Sequence, residues 1–324
     1  MKRVALTAIL LALAISAGVR PSAARPASQG GNELLNVLPD GNAVLLIDVQ
    51  RVTSSPLWNM LAAQEKFRSA FDKMQSELSE VGLSLSDVQT VAITFSNGDA
   101  NNPAVAVSGR FNQSALLQKL RADQKVKLTS ETYKGFEVFK VESAQAKQSP
   151  TDKPAARHND GGFAFLDSAT VVAGTPTSVR AAIDVKTGSR TSVAQNTKLT
   201  EGLAASNSAA VRFALEMTSS MTAKLPTGQM GDFSSIKMIF GSVDVTTGVD
   251  LNATLRNDTA EHAKALATQL NGLLDMARGF LGAGNDPKTA PLVAALKTIT
   301  ITGNDIDVRI TGNVPLEVLG QLLR

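Results

Sequence analysis

Two histidines, His158 and His262, are the first place to look for acid–base or metal chemistry. His158 lies in a polar stretch and His262 near the start of a helical pattern. Neither has a second metal-ligand type at a spacing such as His-Glu-x-x-His. Both read as solvated surface histidines. No Gly-x-Ser-x-Gly elbow is present to supply a nucleophilic serine. Ser234 and Lys237 match Ser-x-x-Lys, but that pair needs a helix to share a face. Here it runs into an apolar strand beginning at Ile236, where a spacing of three separates the two residues. The chain has no cysteine, which removes disulfides, thiolate metal sites and cysteine nucleophiles.

Carboxylates remain. Asp48 ends an apolar strand just before a helix, and Asp167 follows another strand. Two acids suffice for glycoside hydrolysis, so these define a carboxylate-dependent hydrolase as one reading. The loop Ser96–Asn102 places Asp99 and Asn101 two apart, but one carboxylate and no distal Glu make a hairpin connection rather than a calcium loop. Gly279-Phe280-Leu281-Gly282-Ala283-Gly284 follows a helix. A phosphate cradle needs glycines ahead of one, so these read as helix termination. No metal ligand set and no cofactor motif emerges.

The segment with most functional content is Pro56–Val81. Ser55 is placed to cap a helix and Pro56 occupies its first position. Leu57, Leu61, Gln64, Phe67, Phe71, Met74, Leu78 and Val81 recur at steps of three or four, which predicts one amphipathic helix with a polar interruption at Gln64. Trp58, Phe67, Phe71 and Met74 are large and soft. They are either the core face of that helix or the lining of a site for an apolar, lipid-like ligand. Lys66, Arg68 and Lys73 suit a membrane surface, but Glu65, Asp72 and Glu77 cancel them.

The elements around that helix repeat. Ala43–Val49 reads as a buried strand. Val88–Phe95 and Ala104–Phe111 form a hairpin, and Asn112 opens a short helix carrying Leu116, Leu117 and Leu120. Another hairpin turns at Lys134-Gly135, and a polar stretch spans 143–160. Phe163–Leu166 and Thr170–Ala173 form a further hairpin, and Thr175-Pro176 starts a helix through Ile183. The second half follows the same order. Ala209–Leu215 is a strand, Met217–Leu225 takes the place of the long helix, and Ile236–Val245 with Gly248–Leu255 form a hairpin. A long helix then carries Ala263, Leu266, Leu270, Leu273 and Leu274, before Ile299–Thr302, Ile306–Ile310 and a helix from Pro315. Strand, helix, hairpin, helix, hairpin, helix is a diverged internal duplication. It predicts an α+β fold of two related halves, with an antiparallel β-sheet and amphipathic helices packed on one face. Thr298, Thr300 and Thr302 with Asp305, Asp307 and Arg309 give the other face a polar, solvated character.

The amino terminus sets the compartment. Lys2 and Arg3 precede an apolar run, Val4–Val19, and Ser22-Ala23-Ala24 offers a signal-peptidase site. The reading is therefore a signal peptide over 1–24, a flexible lead over 25–33, a first repeat over 34–190 and a second over 191–324. Removing Lys2, Arg3 and Arg20 leaves 29 basic and 29 acidic residues, so the mature net charge is zero. That gives no electrostatic reason to expect nucleic acid. No apolar stretch after Ala24 reaches membrane-spanning length.

Leu38-Pro39-Asp40 leading to Val44-Leu45-Leu46-Ile47-Asp48-Val49, then Ser55-Pro56-Leu57, resembles the amino-terminal pattern of a loosely defined family of uncharacterised exported bacterial proteins. Tyr133-Lys134-Gly135-Phe136, Phe163–Asp167 and Gly174-Thr175-Pro176 through Asp184 fit it as well. The resemblance covers about residues 34–185 and is carried by strand edges, turns and caps. It implies export and α+β repeats and transfers no active site. The expectation is an exported protein, periplasmic or extracellular, acting through binding or structure. Its partner would be a protein or an apolar ligand, with no nucleic acid and no transmembrane segment after signal cleavage.

Overall fold

Strands that are apolar on both sides of the pleat need cover on both faces, and this requirement organises the chain. The computed structural model describes residues 30–95, 102–124, 126–143, 161–206, 208–222, 233–283 and 289–323. Residues 1–29, including the expected signal segment, lie outside the described residues, as do His158 and the loop bearing Asp99 and Asn101.

The first half contains α1 (Gly30–Leu35), β1 (Ala43–Asp48), α2 (Val49–Thr53), α3 (Pro56–Ala62), α4 (Glu65–Glu80), β2 (Val88–Phe95), β3 (Ala104–Gly109), α5 (Gln113–Ala122), β4 (Val126–Tyr133), β5 (Phe136–Ser143), β6 (Gly161–Phe165), β7 (Thr170–Gly174) and α6 (Pro176–Lys186). The second contains α7 (Thr197–Ala204), β8 (Val211–Glu216), α8 (Ser219–Thr222), β9 (Ile236–Asp244), β10 (Gly248–Asn257), α9 (Ala260–Gly282), α10 (Ala290–Lys297), β11 (Thr300–Asn304), β12 (Asp307–Pro315) and α11 (Leu316–Leu322).

The twelve strands among the described residues form one antiparallel sheet in the order β11-β12-β10-β9-β8-β1-β2-β3-β7-β6-β5-β4. Outward from the centre, β1-β2-β3-β7-β6 on one side matches β8-β9-β10-β12-β11 on the other. The two halves follow one plan and meet where β1 pairs with β8, from Ala43↔Leu215 to Ile47↔Val211. The β4–β5 hairpin extends the first half and, among the described residues, has no counterpart in the second.

Period-two alternation assigns the faces. Leu45, Ile47, Val91, Ile93, Val105 and Val107 point to the front, where Trp58 of α3, Phe71, Met74 and Leu78 of α4, and Leu116 and Leu120 of α5 cover them. On the same face α9 seats Ala263, Leu266 and Ala267 against Ile239, Leu255 and Val308. Val44, Leu46, Ala92, Ala104 and Ala106 point to the back and are covered by Leu34 and Leu35 of α1, Val179, Ala182 and Ile183 of α6, and Leu199 and Leu203 of α7.

Helices therefore cover both faces of the central strands, which corrects the expectation of cover on one face. The physical reason is the back-facing alanines, Ala92, Ala104, Ala106 and Ala214, which let a helix approach a strand buried on both sides. The one-sided arrangement holds at the β10–β12–β11 end. There Asn252, Thr300, Thr302, Arg309, Thr311 and Asn313 are exposed on the back face.

Two further expectations change. Residues 30–33 of the expected flexible lead are the first turn of α1, fixed by the burial of Leu34 at 3 % and Leu35 at 4 % exposure. The long helix is two: Gln64, its polar interruption, adopts an extended conformation (φ −81°, ψ 129°) between α3 and α4. The caps agree with expectation. Ser55 accepts from the Trp58 backbone N–H at 3.1 Å, and Asn112 from that of Ala115 at 3.0 Å.

Ile183 tests the back-face layer. It is fully buried, so Ile183→Ala is expected to lower unfolding free energy by about 2–5 kcal/mol in urea titration. A loss below about 1 kcal/mol would mean that α6 does not seal this face.

Candidate functional site

Each sequence-derived candidate has a definite place. Trp58, Phe67, Phe71 and Met74 do come together. Trp58 is 2 % exposed and makes edge-to-face contacts at 5.6 Å with both Phe67 and Phe71. Phe71 and Met74 are buried with it, and Phe67 packs against the same cluster from its rim. The stripe is thus part of the front-face core, and the break at Gln64 turns the α3 and α4 aromatic side chains onto one another. Among the described residues the buried Trp58 Nε1 has no hydrogen-bond acceptor.

His262 sits in the exposed first turn of α9. Its backbone N–H donates to the Thr259 cap at 3.2 Å, and its Nδ1 lies 2.6 Å from Asp258 Oδ1. The hydrogen bond with His262 lowers the Asp258 carboxyl below its ordinary range. Lys237 Nζ stands 3.5 Å from Asp258 Oδ2, so it joins an exposed charge cluster at the start of β9. Gly279 and Gly282 are inside α9 rather than in a loop.

Asp48 and Asp167 are not brought together. Asp167 lies in the turn between β6 and β7, where its Oδ1 accepts from the Ala169 N–H and its Oδ2 lies 3.7 Å from Lys186 Nζ. Strands β2 and β3 separate β1 from β7. Three strand spacings are roughly 14 Å, beyond the ~5–9.5 Å of a glycosidase carboxylate pair.

Asp48 instead belongs to a polar row that crosses the junction of the halves on the back face. It caps α2 by accepting from the Arg51 N–H at 2.9 Å, and its own N–H donates to Ala210 C=O at 2.8 Å. Arg51 Nη1 then reaches across β8 to Asp244 Oδ2 of β9 at 3.3 Å. Asp244 stands directly opposite Asp250 of β10, and Asp250 opposite Asn313 of β12. Like charges facing across a ladder repel, and each carboxylate has its own compensation. Asp244 accepts from the Thr246 N–H at 2.8 Å and from its hydroxyl, besides Arg51. Asp250 accepts from the Asn313 amide and, at 3.4 Å, from the Thr247 hydroxyl.

One step along the strands runs a parallel row of Arg212, Ser242, Asn252 and Thr311. Arg212 is 6 % exposed beneath α1, donating to Asn32 Oδ1 at 3.4 Å. Burial is the first cause of shift for both central charges. It raises the Asp48 carboxyl, against the opposing effects of Arg51 and Arg212, and it lowers the Arg212 guanidinium, against Asp48.

Above these two rows the carboxyl end of α7 and residues Ala205, Ser206, Ser208 and Ala209 form a wall. Together with Thr298 at the rim they enclose an open cleft of about 530 Å³. Its floor is Ser242, Asp244, Asp250, Asn252, Thr311 and Asn313. Serine and threonine hydroxyls, two amides and two carboxylates make it a surface of hydrogen-bonding groups with a surplus of acceptors. Among the described residues no group of three metal-ligating side chains is present, and no helix is long and apolar enough to cross a membrane. Sequence reasoning singled out Asp48 but missed Arg51, Arg212, Asp244 and Asp250. The alternation in Ser242-Val243-Asp244 and in Asp250-Leu251-Asn252 puts their polar residues on one face. Only the β1–β8 pairing shows that Arg51 meets them.

No family model matches the chain, and no curated protein matches it. Among solved structures, crystal form I of TP0453 is similar with a TM-score of 0.47 and 10 % identity, over 93 % of this chain and 97 % of that one. Crystal form III of TP0453 gives 0.48 and 9 %, over 90 % and 96 %.

The shift at Asp48 has a pH consequence. An acid whose folded pKa exceeds its unfolded value holds its proton better in the folded state. Its contribution to stability is greatest below the ordinary carboxylate range and is lost as pH rises through the raised value. Asp48→Asn keeps the cap acceptor. The difference in melting temperature, variant minus wild type, is expected to grow as pH rises from about 4 to 7. A difference that stays flat or shrinks would show that Asp48 is not raised.

Proposed function

We propose that the protein is an exported, non-catalytic binding protein of a bacterial envelope and that the polar cleft is its binding site. The observation that supports this reading is the paired carboxylates Asp244 and Asp250 on the cleft floor. Each is fixed by donors from neighbouring residues, with the remaining floor made of amides and hydroxyls. Preorganised acceptors in an open cleft suit a small polar ligand rich in N–H or O–H donors. Carboxylates engaged in this way orient a ligand rather than attack it. Export is supported by the Lys2-Arg3, apolar-run and Ala24 layout together with the zero mature charge. The resemblance of residues 34–185 to exported bacterial proteins points the same way.

Native mass spectrometry of the mature chain purified from a bacterial periplasm tests the reading. Wild-type protein is expected to carry a small-molecule mass that aqueous dialysis removes and organic extraction alone does not. Asp250→Asn, which keeps the size of the side chain, is expected to lose that mass while retaining the wild-type circular dichroism spectrum. A clean polypeptide mass for the wild type contradicts the reading. So does a bound mass that Asp250→Asn leaves in place, or one that only organic solvent extracts.

A further inference from the structure

The outer surface of α9 has no described neighbour and carries the most exposed large apolar residues of the described chain. Phe280 is 83 % exposed and Met276 70 %, with Leu273 at 37 %. At 3.6 residues per turn, Ala265, Gly272, Gly279 and Ala283 fall on one line along this surface, with Leu273, Met276 and Phe280 on its flank. Gly272 and Gly279 have open space where a side chain would stand. Packing within the chain does not require glycine there, although glycine is the poorest helix former after proline. An uncovered line of small residues beside an apolar flank is the geometry of a close helix–helix contact.

We infer that this face of α9 joins two copies of the chain in an antiparallel, two-fold pair centred on Met276. The spacing supports that centre. A two-fold axis at Met276 sets Met276 level with the partner's Met276, and Gly272 and Leu273 each within one residue, about 1.5 Å along the helix, of the partner's Gly279 and Phe280 on the same side. Glycine meets glycine on one side, where the backbones approach, and the large apolar side chains gather on the other. The contact is isologous, as a closed dimer requires.

Charge favours a second copy over a lipid surface. The line and its flank carry no charged residue from Ala265 to Ala283. Of the nearby charges, Asp275 is acidic and exposed, and Arg278 is tied to the carbonyls of Leu296 and Ile299. An interfacial helix for an anionic bilayer needs cations along its border. The area is adequate for a reversible pair. Phe280, the aromatic of the three and 83 % exposed, can bury about 150–250 Å², and with Met276, the exposed part of Leu273 and the small residues the face reaches on the order of 1,000 Å² over both copies, the lower bound of a specific interface.

Sedimentation of the mature full chain over a wide concentration range tests this. Wild type is expected to dimerise reversibly. Gly272→Leu is expected to weaken the dimer at least about tenfold while leaving the melting temperature of the monomer unchanged or raised, because leucine is the better helix former. Because the chain has no cysteine, Met276→Cys puts a single thiol on the axis. It is expected to form a disulfide-linked dimer under mild oxidation much faster than Lys297→Cys. A wild type that stays monomeric overturns the inference. A dimer untouched by Gly272→Leu, or equal cross-linking of the two cysteine variants, also overturns it. Binding of the monomer to phosphatidylglycerol vesicles that Phe280→Ser abolishes would assign the face to lipid instead.

Discussion

The pairing of β1 with β8 is the interaction on which the rest of the structure depends. Five residue pairs, Ala43↔Leu215 through Ile47↔Val211, convert two short sheets into one. The ladder continues past its ends, with the Asp48 N–H on Ala210 C=O and the Glu216 N–H on Asn42 C=O. Side chains reinforce it, as Asn196 Nδ2 donates to Asp40 Oδ1 at 3.1 Å. Without this pairing each half would expose an unprotected edge strand of apolar residues, a template for misassembly. With it, the described sheet ends at β4 and β11, and the back core runs across the seam.

The same pairing assembles the polar cleft. Its floor belongs to the second half, but Arg51, which neutralises Asp244, comes from the first. Helix α7 forms the wall because it precedes β8 as α1 precedes β1, and both lie on the back face. In the first half α6 packs over the β3–β7–β6 region of that face. In the second, α11 contacts β12, β10 and α3 instead. The back face of β10 and β12 is therefore left open, and the chain places hydroxyls, amides and carboxylates there in place of the alanines found on the covered strands.

Much of this was legible in the sequence because it is local. Alternation identified Val88–Phe95, Ser55 and Asn112 announced their caps, and Lys134-Gly135 marked the β4–β5 turn, where both residues take positive φ (47° and 84°). The order of strands and helices exposed the relation between the halves. Long-range consequences were not legible. The Trp58, Phe67, Phe71 and Met74 stripe had the right spacing for one helix, but the break at Gln64 depends on how the aromatic rings pack on the sheet. Helix α7 leaves no periodic signal, because Thr197–Ala204 offers two apolar anchors, Leu199 and Leu203, too few to set a period. The Asp48–Arg51–Asp244–Asp250 row joins residues about two hundred positions apart, and no spacing in the sequence reports it.

Pairing of β1 with β8 makes the two halves one cooperative unit. Trp58 is the only tryptophan and lies buried in the first half, so its fluorescence reports that half, whereas far-ultraviolet circular dichroism reports both. Urea unfolding of residues 25–324 followed by the two signals measures this cooperativity. Coincident transitions with one midpoint and one slope are expected. Two separated transitions, with fluorescence changing while about half of the circular dichroism signal persists, would contradict it.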